Sequence, residues 1–68
     1  MASVARVTEI TATSNKSFED AIHAGISKAS ETVRNIQGAW VKDQKVLIDN
    51  GAIDGYQVDM KVTFVVDS

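Results

Sequence analysis

Asn50-Gly51 divides the second half of the chain into two long runs, and this limits the fold more than any other feature. Asn and Gly accept the positive φ angles of a two-residue type I′ turn, whose twist suits paired antiparallel strands. After the turn, Tyr56, Val58, Met60, Val62, Phe64 and Val66 alternate with Gln57, Asp59, Lys61, Thr63 and Val65. That is a strand with one apolar face. Before the turn runs "AWVKDQKVLID". A turn at 50–51 pairs position 49 with 52, and counting onward sets Val41 opposite Met60 and Ala39 opposite Val62 on the core side. The same count sets Gln44 opposite Gln57, Lys42 opposite Asp59 and Trp40 opposite Lys61 on the outer side. It also puts Asp43 opposite Val58 on the core face, which hints at a bulge.

Upstream, "SFEDAIHAGISKASETVRNI" predicts a helix of about five turns. Phe18, Ile22, Gly25, Ile26, Ala29, Val33 and Ile36 form its apolar face, with Glu19, Asp20, His23, Ser27, Glu31 and Arg34 largely opposite. Ser17 fits the N-cap, with Asp20 completing a loose capping box. Glu19 and Asp20 suit the positive end of the helix and Arg34 the negative end; Gly38 is a plausible stop. The first segment, "SVARVTEITATS", is rich in Val, Ile and Thr and reads as a strand, though its alternation is too poor to assign faces. The order is β-α-β-β in one α+β domain spanning 1–68. A helical return makes the first two strands run the same way. With the third strand between them, the three-stranded sheet is antiparallel throughout. One helix covers one face of that sheet, and nothing in the chain is left to cover the other.

The totals exclude several functions. A chain of 68 residues buries only about 60% of its unfolded surface, so it needs a staple. With no cysteine and one histidine, His23, disulfides, thiolate metal sites and a multi-histidine site within one chain are ruled out. Self-association remains. A net charge of −2 from seven basic and nine acidic residues offers no basic stripe for nucleic acid. No apolar run approaches the ~20 residues of a membrane span, and "MASVARVTEI" lacks the plan of a secretory signal. The default location is cytoplasmic.

The outer face carries the chemistry. Trp40 stands there with Gln57 and Gln44, near Lys42, Asp59 and Lys61. An indole offers a flat π face for a planar heterocycle, and an amide offers both acceptor and donor to a polar ring edge. The alternative is that Trp40 anchors a neighbouring subunit, a common task for tryptophan. His23 reads as a solvent-facing helix residue near Glu19. Asp43, Asp49, Asp54 and Asp59 read as solvated carboxylates that could hold a hard cation at a subunit junction, and Lys42, Lys45 and Lys61 as solubilising charges that could meet a phosphate. Gly25 on the apolar face of the helix permits a strand to come close. Ser14 and Ser17 are turn and cap residues, since no base accompanies them. No nucleophile-base pair is visible, so an enzyme is not expected.

In its size, its β-α-β-β order, "ARVTEITATS", the helix "SFEDAIHAGISKASETVRNI" and the closing "YQVDMKVTFVV", the chain resembles the dodecins. The resemblance implies a hollow homododecamer whose sheets wrap partly around their helices and whose exposed sheet faces are covered by neighbours. It implies a flavin, FMN or riboflavin, held between subunits by a stacking tryptophan and a glutamine on the pyrimidine edge, for storage or buffering rather than catalysis. Some members also bind coenzyme A, and some lack flavin. The glutamine carries over as Gln57. The family's stacking tryptophan falls on Gly38, whereas Trp40 lies two residues on, about 7 Å along the same face. Two readings stay open: Trp40 stacks from a shifted place, or it fills the space from which flavin has been lost.

Overall fold

The computed structural model describes residues 2–66. The chain runs β1 (Ala5–Ser14), α1 (Phe18–Ala29), β2 (Ile36–Asp49) and β3 (Ala52–Val65). The sheet order is β1-β3-β2, with both pairings antiparallel. This is the expected β-α-β-β fold, with the third strand in the middle.

The turn forms as its residues dictate, with φ of 51° at Asn50 and 77° at Gly51. On β3 the alternation holds: Val58, Met60 and Val62 are fully buried, and Ala21, Ile22, Ile26 and Phe18 of α1 pack with Val58 and Met60, joined by Ile10 and Ala12 of β1. The β1 face that the sequence left unassigned is thereby set. The Phe18 and Tyr56 rings close one end of this core edge to face, 5.1 Å apart. Gly25 is buried where α1 comes closest to the sheet; a Cβ there would lie 2.7 Å from Met60 Cε and 3.0 Å from Ala12 Cβ.

The helix is shorter than its apolar periodicity predicts. It has 12 residues rather than about five turns. Ser30 caps it, Ser30 Oγ donating to the Ile26 carbonyl at 2.8 Å. Asn35, at φ 64°, then turns the chain into β2. Val33, Arg34 and Ile36 therefore lie beyond α1, Lys28 is the basic residue of its last turn, and Gly38 lies inside β2. At the start, Ser17 Oγ accepts from the Asp20 amide at 2.9 Å, as an N-cap should. The Asp20 carboxylate does not reach back to close a capping box. It accepts from the buried Ser14 hydroxyl at 2.6 Å and so ties the end of β1 to α1.

A 12-residue helix spans about 18 Å, whereas each 14-residue strand of the hairpin spans about 46 Å. Hence α1 packs on β1 and β3, and β2 is left bare. Val41, Val46, Ile48 and Ile53 are all exposed in a body of 53 × 20 × 13 Å. Among the described residues no helix is long and apolar enough to cross a membrane.

Candidate functional site

The outer face of the sheet is built of cross-strand rows centred on β3. Thr13, Gln57 and Lys45 make one row, Thr11, Asp59 and Asp43 the next, then Glu9, Lys61 and Trp40, then Val7, Thr63 and Gly38. Trp40 stands opposite Lys61 as expected and is 72% exposed, so within one chain its indole lies outside the core.

Between Trp40 and the turn, the expected register is corrected. Asp54 is an extra residue on β3 and Lys42 an extra residue on β2. Between these two bulges the pairing is shifted by one, so Gln57 faces Lys45 and Asp59 faces Asp43. Gln44 comes opposite Val58 instead of Gln57, and alternation turns its Cβ away from the Gln57 face. The bulge hinted at by Asp43 is real: without it a carboxylate would sit on the core face. Lys42, freed by its bulge, reaches across the central strand to Glu9 at 3.5 Å instead of pairing with Asp59.

Gln57 and Gln44 both border an open cavity of about 300 Å³, with Thr11, Asp43, Lys45 and Asp59. Trp40 is not part of its wall. Its row lies four residues of β3 away from Gln57, about 13 Å. One chain therefore presents the indole and the amide on the same face but at separate places. Gly38, where the resemblance would place a tryptophan, has nothing within 4 Å of where a Cβ would stand. The space beside Trp40 is open.

Sequence reasoning missed Glu9. It lies diagonally across from Asp59, within side-chain reach. Each carboxyl shifts the other: the hydrogen bond between them holds Asp59 above the usual carboxylate range, helped by desolvation, and holds Glu9 below it, helped by the charge of Lys42. Asp59 Oδ1 is buried without a hydrogen-bond partner. The neighbouring Glu9 carboxylate disfavours a second negative charge there. The signal was Glu9 on a Thr-rich strand, but its face could not be read before β1 was docked on β3. His23 lies where expected, exposed on α1 and 3.8 Å from Glu19. Among the described residues no group of three or more His, Asp or Glu side chains is arranged to hold a metal ion.

Comparison with known proteins agrees with this geometry. No curated protein matches the chain. The family model named Dodecin matches residues 4–67. Among solved structures, a dodecin from Streptomyces davaonensis is 36% identical, with a TM-score of 0.92 over 97% of each chain. The tt0972 protein from Thermus thermophilus is 28% identical, with a TM-score of 0.92 over 98% of each chain. A calcium-chelating antigen from Mycobacterium tuberculosis, described as a calcium dodecin with a novel calcium-binding site, is 28% identical, with a TM-score of 0.83 over 94% of this chain and 91% of that one. With the helix and the central third strand in place and the family model matched over residues 4–67, the chain belongs to the dodecin family.

Proposed function

We propose that this protein is a cytoplasmic, non-enzymatic flavin-binding protein that assembles as a homododecamer and holds FMN or riboflavin between subunits. The observation that carries the reading is the sheet face that α1 leaves uncovered, with Trp40 72% exposed and Gln57 on the rim of an open cavity. Flavin binding and dodecameric assembly are typical of the family. The residues suit the ligand. Trp40 supplies a stacking surface with free space beside it at Gly38, and Gln57 supplies a donor and an acceptor for a pyrimidine edge. Since Trp40 and Gln57 stand about 13 Å apart along the strand, the site is completed by a neighbouring chain. A bound flavin would contribute a light-absorbing redox ring, and stacking on the indole would quench its fluorescence.

The experiment is an absorption spectrum of the freshly purified protein together with its mass in solution, followed by titration of free FMN and riboflavin. Yellow protein of twelvefold mass, or quenching that saturates on titration, supports the reading. Colourless protein that leaves flavin fluorescence unchanged refutes it.

A second reading is a dodecin-like oligomer that holds a cation, or coenzyme A, in place of flavin. Asp43 and Asp59 face each other across β2 and β3, which suits a hard cation, and one relative is described as a calcium dodecin. One chain does not supply enough ligands among its described residues, so a neighbour must add some. Calcium titration by calorimetry, on wild type and on Asp43→Asn, separates this reading from the first.

A further inference from the structure

We infer that Asn50 is a site of spontaneous covalent modification: the turn between β2 and β3 prepares the Gly51 amide nitrogen to attack the Asn50 side chain, which passes through a succinimide to aspartate and isoaspartate. Neither flavin nor assembly is needed for it.

Ring closure joins the Gly51 nitrogen to Asn50 Cγ. The ring holds Cβ and that nitrogen on the same side of the Cα–C bond. For an L residue this sets ψ near about −120°, which with a φ of about +60° is the first central position of a type II′ turn. Asn50 already has a φ of 51°. Only the peptide plane between Asn50 and Gly51 must flip, which turns type I′ into type II′, and both close hairpins. The flip takes φ of Gly51 from 77° to a negative value, a change that glycine makes without steric cost. Nothing lies within 4 Å of where a Cβ would stand at Gly51. The ladder ends at the pair of Asp49 with Ala52, so no strand pairing is lost.

The other candidate positions each lack part of this arrangement. Asn35 also has positive φ, 64°, but its carbonyl accepts from the Val65 amide at 3.1 Å, which holds the peptide plane. Its neighbour is the β-branched Ile36, the first residue of β2. After Asn15, the nitrogen belongs to Lys16 and donates to Ser14 Oγ at 2.9 Å. Asp54-Gly55 is the acidic counterpart, but Gly55 is buried, and an ionised carboxylate resists nucleophilic attack.

In the reaction, hydroxide takes the Gly51 N–H proton, the nitrogen bonds to Asn50 Cγ, and the side-chain amide leaves as ammonia with a proton from water. Water then opens the ring. Breaking the new N–Cγ bond gives aspartate; breaking the original peptide bond routes the main chain through Cβ and gives isoaspartate. Either product adds a negative charge beside Asp49. Isoaspartate also lengthens the turn by one methylene. The irregularity at Asp54 lies between that turn and the core residues Val58 and Met60, which confines the change to the tip.

Purified full-length protein is incubated in mildly alkaline buffer beside a synthetic peptide of residues 46–61. Trypsin, cutting after Lys45 and Lys61, then isolates the same segment from the protein, and mass spectrometry with electron-transfer fragmentation distinguishes amide, aspartate and isoaspartate. Asn50 is expected to convert in the folded protein at the peptide's rate or faster, and several-fold more slowly in mildly acidic buffer, where hydroxide is scarcer. Asn15 and Asn35 are expected to stay intact and Asp54 to stay unisomerised. Asn50→Gln, whose ring would be larger, is expected to lose the conversion. Slower conversion of Asn50 in the protein than in the peptide, or conversion of Asn35 at an equal rate, overturns the inference.

Discussion

Gly25→Ala is the sharpest test of the packing that shapes this molecule, because two opposing effects are both sizeable. Ala is the better helix residue by about 1 kcal/mol, and φ at Gly25 is not in the positive region, so propensity alone predicts stabilisation. The added Cβ, however, would stand 2.7 Å from Met60 Cε and 3.0 Å from Ala12 Cβ. Met60 is flexible but fully buried, so its methyl has no solvent-filled space to enter. Ala12 can retreat only by moving β1 away from α1. Overpacking of this kind costs about 1–3 kcal/mol. The net expectation is a destabilisation of about 1 kcal/mol, a fall in Tm of about 4–8 °C for a domain of this size. Urea unfolding followed by circular dichroism at matched protein concentration reads it, since association adds to apparent stability. Met60→Leu removes the clashing methyl, so the double variant should be better than additive by about 0.5 kcal/mol or more. A Gly25→Ala protein more stable than wild type, or strictly additive effects in the double variant, refutes the close approach.

The remaining predictions concern the outer face, the cap and the turn. Trp40→Ala should weaken flavin binding by about 1–3 kcal/mol, the usual worth of an aromatic stack, while the unfolding of a monomeric form stays within about 0.5 kcal/mol of wild type because the indole is exposed. Unchanged affinity by fluorescence titration, with a lowered assembly mass, would assign Trp40 to packing instead. Ser17→Ala should cost about 1 kcal/mol in chemical unfolding through loss of the bond from the Asp20 amide. Gly51→Ala should cost about 1–2 kcal/mol by the same assay, from the positive φ at the turn. For the carboxyl pair the signs oppose. Asp59, held high, adds stability below its unfolded pKa that is lost as pH rises through its folded one; Glu9, held low, adds stability above its unfolded pKa that is lost as pH falls through its folded one. Thermal midpoints measured against pH should therefore peak in mild acid. Asp59→Asn should abolish the decline on the alkaline side, and superimposable profiles for the two proteins would remove the carboxyl pair from the account.

How much of this was legible in the sequence depended on how far each signal had to travel. The turn, the N-cap and the apolar face of β3 are local. Each is set by residues within a few positions of one another, and each forms as read. The helix length was overestimated because Val33 and Ile36 continue the helical spacing after the helix has ended. Periodicity records which residues favour burial and does not record where Ser30 and Asn35 turn the backbone. The face of β1 depended on docking against β3, a contact with no short connection to fix it.

The outer face shows the same limit in finer detail. A two-residue turn dictates register only as far as the first irregularity, and here that irregularity comes two pairs along, at Asp54. Counting past it misplaces Gln44 and Lys42. Trp40 is placed correctly because the extra residue at Lys42 on the opposite strand cancels the shift before the indole is reached. The two bulges put Asp43 on the solvent side and let Lys42 span the sheet to Glu9. They let a strand carrying both core and site residues keep charge off its buried face. What no single-chain pattern can encode is the closing of the distance between Trp40 and Gln57. Four residues along a stiff central strand hold them about 13 Å apart, so a ring gripped by both kinds of group must take them from different chains. On the proposed function, a ligand that bridges chains on this face would stabilise the assembly along with the fold, and its removal should loosen both at once.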